Sequence, residues 1–189
     1  MRVAYADPPY PGQAKRHYAD HPDYAGEVDH AKLIAELERD FPDGWALSTS
    51  VPALGQILAL CPPGEPSKKR AWGGSVKLGT GVRVCAWMRS AHSPFPPSRV
   101  MWTWEPLIIR TPHWRQRHGS DFIRDSLIAS QPHGFLGNEI TGQKPRAFCH
   151  WLFDLLGLGP DDELVDLFPG SGAVAHEWEA WRSQTRLAV

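Results

Sequence analysis

At 189 residues the chain holds one domain with a sizeable core and is too short for two comfortable ones. Its 42% hydrophobic content argues against wholesale disorder, and 17 glycines with 18 prolines, in no three-residue repeat, argue against collagen and against a pure helical bundle. A net charge of -1 conceals an imbalance: residues 61–120 carry +8 and the remainder -9. No apolar run approaches bilayer length and no basic-plus-apolar leader opens the chain, so a soluble intracellular protein is expected. Cys61, Cys85 and Cys149 are spaced like neither a disulfide scaffold nor a zinc knuckle; they read as small buried hydrophobes, and no metal is implied.

Arg2–Ala6 reads as a short strand stopped by Asp7, Pro8 and Pro9, since two prolines would deny a central ladder two donors. Residues 11–29 read as irregular, with His17, Tyr18 and Tyr24 as candidates for a mobile cover. From His30 to Asp40 the pattern is helical: Leu33, Ile34 and Leu37 share a face, and Asp29 is placed to cap it. Trp45–Ser48 reads as a strand, followed by a helix starting near Ser50 and Pro52 and running to about Leu60.

Residues 61–81, with adjacent prolines and a basic triplet, read as a long exposed excursion. Val82–Met88 and Met101–Arg110 are strands around a proline-rich loop at His92–Ser98, and Phe122–Ala129 looks locally helical. Pro145–Leu156 reads as a helix, Gly157–Asp162 as a turn and Glu163–Leu167 as a strand. Pro169–Gly172 then turns into a helix over Ala173–Trp181, with a last strand at Thr185–Val189. Strands alternating with helices favour one twisted, mostly parallel sheet covered on both faces, in a single domain spanning 1–189.

The basic segment also holds Trp72, Trp87, Trp102, Trp104 and Trp114, so charges can meet phosphates and rings can meet bases. An ordinary solvated face above core tryptophans is the other reading. Candidate nucleic-acid contacts are Lys68, Lys69, Arg70, Lys77, Arg115 and Arg117; the Pro94–Ser98 loop and residues 111–142 are further candidate substrate contacts.

Two loops carry most of the chemistry. Asp7-Pro8-Pro9-Tyr10 sets a carboxylate, stiff prolines and an aromatic ring just past a strand. That suits a planar group with an exocyclic amine: Asp7 and the Pro8 carbonyl accept N–H bonds while Tyr10 stacks. A proline-stiffened surface turn is the alternative. Asp166-Leu167-Phe168-Pro169-Gly170-Ser171-Gly172 leaves another strand and enters a helix, so its glycines admit a close ligand and its helix start offers free amides. It lacks the Gly-Lys-Ser/Thr ending of a phosphate-binding P-loop and the space for a full dinucleotide unit.

Together these loops resemble the S-adenosylmethionine-dependent DNA amino-methyltransferases in their circularly permuted order, with the catalytic motif first. Asp7-Pro8-Pro9-Tyr10 matches the catalytic DPPY tetrapeptide, and Asp166, Phe168, Gly170, Ser171 and Gly172 match the cofactor motif. Gly142-Gln143-Lys144-Pro145 sits where the family carries a Lys-Pro element, and Trp104-Glu105-Pro106 resembles a strand late in its catalytic half.

The resemblance implies a Rossmann-like methyltransferase domain using S-adenosyl-L-methionine. Asp7, Pro8, Pro9 and Tyr10 would be catalytic, and Asp7, Lys144, Pro145, Asp166, Phe168, Gly170, Ser171 and Gly172 would hold the cofactor. A flipped base would be methylated without metal or covalent nucleophile, with adenine N6 in DNA preferred over cytosine N4, over RNA, and over a catalytically silent binding module of the same fold. A cytoplasmic setting in a microbe or phage-infected cell follows, with no membrane partner and with a homodimer or partner subunit as candidate help in target recognition. The family's ribose-binding acid has no counterpart: the strand expected to carry it would lie near Leu187–Val189, and Glu177 and Glu179 fall on the preceding helix.

Overall fold

The computed structural model describes residues 1–12, 26–63, 81–89, 102–110, 123–130 and 143–187. Its strands are β1 (Arg2–Ala6), β2 (Trp45–Ser48), β3 (Arg83–Met88), β4 (Trp104–Arg110), β5 (Ser126–Ile128) and β6 (Glu163–Asp166). Its helices are α1 (His30–Asp40), α2 (Leu54–Leu60), α3 (Arg146–Leu156) and α4 (Ala173–Leu187).

Among the described residues the strands form one sheet in the order β5-β3-β4-β2-β1-β6. β1 pairs in parallel with β2 and β6, and β3 in parallel with β5, while β4 runs antiparallel to both its neighbours. Five strands therefore share one direction and β4 opposes them. β4 is a central strand containing Pro106, which has no amide to donate. The Pro106 carbonyl accepts from Thr49 N at 3.1 Å, just beyond the end of β2, so the missing donor faces a neighbour whose ladder has already stopped.

β1 is covered on both faces, and its alternation separates two cores. Val3 and Tyr5 pack with Phe148, Leu152 and Phe153 of α3 and with Val174 and Trp178 of α4. Ala4 and Ala6 face Leu33, Ile34 and Leu37 of α1 and Ile57 of α2. The Asp29 side chain accepts from Lys32 N at 3.0 Å and so caps α1 as its sequence indicates. Gly157 ends α3 in the left-handed conformation at φ 65°, which glycine adopts without penalty. Cys85 and Cys149 are buried and Cys61 half-buried, all as free thiols.

Two expected elements are different. Phe122–Ala129 contains no helix among its described residues; Ser126–Ile128 is the edge strand β5. The outer side of β3 needs hydrogen-bond partners, and this segment supplies them through Ala86 N to Asp125 O at 2.8 Å and Ala129 N to Met88 O at 3.1 Å. Two buried indoles fasten it, Trp87 Nε1 to Ala129 O and Trp151 Nε1 to Arg124 O, both at 2.9 Å.

The expected strand at Thr185–Val189 is also absent from its described part, because α4 continues to Leu187. Ser183 and Thr185 satisfy their hydroxyls on the carbonyls one turn back, Glu179 O and Trp181 O. Trp178 and Trp181 stack at 5.4 Å and meet Phe153, giving the helix an apolar face strong enough to extend it. Smaller shifts occur at α2, which begins at Leu54 after a turn, and at β4, which begins at Trp104.

Candidate active site

Because β1 and β6 are parallel neighbours, the segments following them emerge at one edge of the sheet. Tyr5 is the register partner of Asp166, and Leu167 N donates to Tyr5 O at 2.9 Å, so the pairing carries one residue beyond the strand. Asp7–Tyr10 and Asp166–Gly172 are thereby brought side by side.

In the first loop, Asp7 keeps 24% of its side-chain surface open and receives Lys144 Nζ on Oδ2 at 3.0 Å. Pro8 is buried, while Pro9 and Tyr10 are half-buried. Desolvation raises the Asp7 pKa, the Lys144 ammonium opposes that rise, and Glu105 adds to it. Tyr10 donates its hydroxyl to Glu105 Oε2 at 3.2 Å, and its phenol is pushed upward, first by burial. Tyr5, beneath the loop, shares a 2.9 Å hydrogen bond with Ser48 Oγ.

Lys144 precedes α3, and its side chain is 7% exposed between Asp7 and Glu105, whose Oε2 is 3.4 Å from Nζ. Burial would lower its pKa, but Asp7, Tyr5, Tyr10 and Glu105 outweigh burial and hold it well above the usual lysine value. Arg89 completes the group, with Nη1 2.8 Å from Glu105 Oε1.

In the second loop, Asp166 Oδ1 accepts from Phe168 N at 3.2 Å. Burial lifts the Asp166 carboxyl to about 6, against the lowering effect of that amide. Gly170 and Gly172 take φ of 48° and 73°. A Cβ on Gly172 would touch nothing within 4 Å, so glycine is required there by backbone conformation rather than by crowding. Gly172 O accepts from His176 N at 2.9 Å as α4 begins. A cleft of about 300 Å³ lies between the two helix starts, lined by Lys144, Pro145 and Arg146 on one side and by Ser171, Gly172, His176 and Glu177 on the other.

The structure thus gathers Asp7, Pro8, Pro9, Tyr10, Lys144, Pro145, Asp166, Phe168, Gly170, Ser171 and Gly172 at one sheet edge. Lys68, Lys69, Arg70, Lys77, Arg115 and Arg117 lie outside the described residues, as do His17, Tyr18, Tyr24, Pro94–Ser98, Trp72 and Trp114. Trp87 is spent in the core with no exposure, whereas Trp102 is 63% exposed. Arg89 and His176 were not singled out by sequence reasoning, and Glu105 entered it only within the Trp104-Glu105-Pro106 resemblance, with no role of its own. The signal for Glu105 was its being one of two acids in the basic stretch, directly before a proline in an apolar strand. Among the described residues no helix is long and apolar enough to cross a membrane, and no group of three His, Cys, Asp or Glu is arranged to hold a metal ion.

No family model and no curated protein matches the chain. Solved structures do. The crystal structure of an M1.HpyAVI–SAM complex is matched at 13% identity and a TM-score of 0.60, covering 96% of this chain and 78% of that one. A structure of M1.HpyAVI alone is matched at 12% identity and a TM-score of 0.54, covering 95% and 76% respectively. Over nearly all of its length this chain therefore has the α/β fold of M1.HpyAVI, the Rossmann-like methyltransferase fold, with a mixed sheet flanked by helices.

Proposed function

We propose that the chain transfers a methyl group from S-adenosyl-L-methionine to the exocyclic N6 amino group of adenine in DNA, as a permuted amino-methyltransferase. The observation that carries this reading is the adjacency of Asp7 and the glycine-rich loop on neighbouring parallel strands, with the strand bearing the DPPY tetrapeptide first in the chain. The similarity of the fold to that of a protein crystallised with SAM supports the same reading.

The residues present fit the cofactor. The cleft is open in front of Gly172 and takes in the start of α4, whose amides suit a carboxylate. Asp166 and Asp7 stand at the neighbouring strand ends, outside its lining, where they would bring negative charge near a cation. Ser171, Gly172 and Pro145 would border it, with Asp166 and Phe168 at the strand end. When bound, S-adenosylmethionine supplies an electrophilic methyl group and leaves as a neutral thioether.

The chain's own residues orient the amine. Asp7 accepts one N–H, the Pro8 carbonyl a second, and the nitrogen lone pair is then directed away from both. The Tyr10 ring offers a stacking face to the base, held at its far end by Glu105.

Labelled methyl transfer to double-stranded DNA, single-stranded DNA and RNA, followed by nucleoside analysis, tests the reading. N6-methyladenine in a DNA pool, lost in Asp7→Ala, is the expected outcome. N4-methylcytosine or an RNA-only product would overturn the substrate, and absence of transfer to every pool would overturn the activity.

A further inference from the structure

Four charges of alternating sign cross the site. Arg89 Nη1 meets Glu105 Oε1 at 2.8 Å, Glu105 Oε2 meets Lys144 Nζ at 3.4 Å, and Lys144 Nζ meets Asp7 Oδ2 at 3.0 Å. The Lys144 ammonium also lies 5.3 Å from the Trp87 ring centre and 5.5 Å from that of Phe148. A lysine serving a ligand in the cleft would carry its ammonium to open space. Lys144 borders the cleft, yet its side chain is almost wholly covered and its ammonium is held between two carboxylates over aromatic faces. Burying a lone cation here would be costly, and the cost falls when each charge has a partner.

We propose that Lys144 is a positioning residue for Asp7 rather than a cofactor contact: anchored by Glu105, it grips Oδ2 and keeps the carboxylate ionised as an acceptor. The inference rests on the methyl-transfer reading for its catalytic meaning, but the ion pair itself can be tested without turnover. With Oδ2 held by the ammonium, Oδ1 is the oxygen left to accept from an amine. Glu105 receives the Tyr10 hydroxyl at the same Oε2, which ties the ring and the carboxylate of one loop to a single anchor.

The experiment follows the Asp7 carboxyl carbon by NMR through a pH titration in the full chain and in Lys144→Gln. Loss of the ammonium moves the Asp7 midpoint upward. Coupling between two sites is reciprocal, so in Asp7→Asn the titration of the Lys144 ammonium, read from its Nζ resonance, moves downward. This second variant carries the test if Lys144→Gln fails to fold. An unmoved midpoint in the folded variant overturns the proposal.

Two further readouts separate positioning from cofactor contact. S-adenosylmethionine affinity of Lys144→Gln, measured by calorimetry, stays within about twofold of the parent, while its methyl transfer falls more steeply than the parent's as the pH is lowered from about 9 to about 6. A tenfold loss of cofactor affinity with an unchanged pH profile overturns the proposal. A parent chain that transfers no methyl group sinks the methyl-transfer reading alone and leaves the NMR comparison to decide the ion pair.

Discussion

Asp166 lies opposite Tyr5 in the parallel register of β1 and β6, and that pairing sets the level at which both loops leave the sheet. Side chains alternate along a strand, so slipping this register by one residue would turn every side chain of β6 to the other face. Asp7 stands two residues beyond Tyr5, and Asp166 is the last residue of its strand. The two carboxylates are consequently close enough for Asp7 to contribute to the raised pKa of Asp166.

That raised value makes a prediction about stability. The Asp166 carboxyl titrates at about 6 in the fold, above the usual 3.8, chiefly through burial. The folded state therefore holds this proton more tightly than the unfolded chain does. Its contribution favours folding at low pH and is lost as pH rises through the interval from about 4 to about 6. Asp166→Asn keeps an oxygen for the Phe168 amide but removes the titration. The melting temperature of the variant minus that of the parent should rise from pH 4 to pH 6.5 and level off above. A difference that stays flat across this range would show that Asp166 titrates normally.

Tyr10 separates two contributions of one side chain. Its hydroxyl is bonded to Glu105, while its ring is the face that the proposed reaction would offer to a base. Tyr10→Phe removes the first and keeps the second, and should lower methyl transfer by only a few fold. Tyr10→Ala removes both. Stacking of a base on an aromatic ring is worth about 1–3 kcal/mol, so the loss should be about 5- to 150-fold, mostly in the KM for DNA. Steady-state kinetics of the two variants on one DNA substrate checks this, and equal losses would assign the effect to the hydroxyl.

Both loops were legible in the sequence because each breaks an apolar strand with unmistakable punctuation, Asp7-Pro8-Pro9 after one and Pro169-Gly170-Ser171-Gly172 after the other. The buried strand β1 and the face of α1 were legible for the same local reason. Glu105 was not, because its meeting with Tyr10 and Lys144 depends on β4 being threaded antiparallel between β2 and β3, a long-range pairing with no local signature. Ser126–Ile128 is too short for its period to distinguish strand from helix, and the needs of the edge of β3 decide it. Residues beyond Trp181 contain the β-branched Thr185, which favours strands locally, yet stacked Trp178 and Trp181 on Phe153 override that preference.

The core behind the site holds the fold together and also backs the Lys144 ammonium, which lies 5.5 Å from the Phe148 ring centre. Phe148 is 1% exposed and meets the rings of Tyr5, Trp87 and Trp151 at 6.1, 5.0 and 6.0 Å. Phe148→Ala should cost about 3–5 kcal/mol from lost burial and the cavity left behind. Phe148→Leu, which keeps most of the volume, should cost less. Urea unfolding measures both; a loss below about 1 kcal/mol for the alanine variant would mean that α3 collapses onto the sheet without that ring.

Gly172 offers a sharper division between fold and ligand. At φ 73° an alanine is strained by about 1–2 kcal/mol, but its Cβ would meet no protein atom within 4 Å. Stability should therefore fall only by the backbone cost, a few degrees in melting temperature for a chain of this size. The position lines the cleft, however, and a methyl group there occupies space that a bound cofactor would use. S-adenosylmethionine binding by Gly172→Ala should weaken by more than tenfold, well beyond what the strain alone removes from a variant that remains folded at the assay temperature. Calorimetric titration beside a thermal melt tests the pair of expectations. Weak binding with a nearly intact melt assigns the glycine to ligand approach, whereas a large drop in melting temperature with unchanged affinity assigns it to the fold.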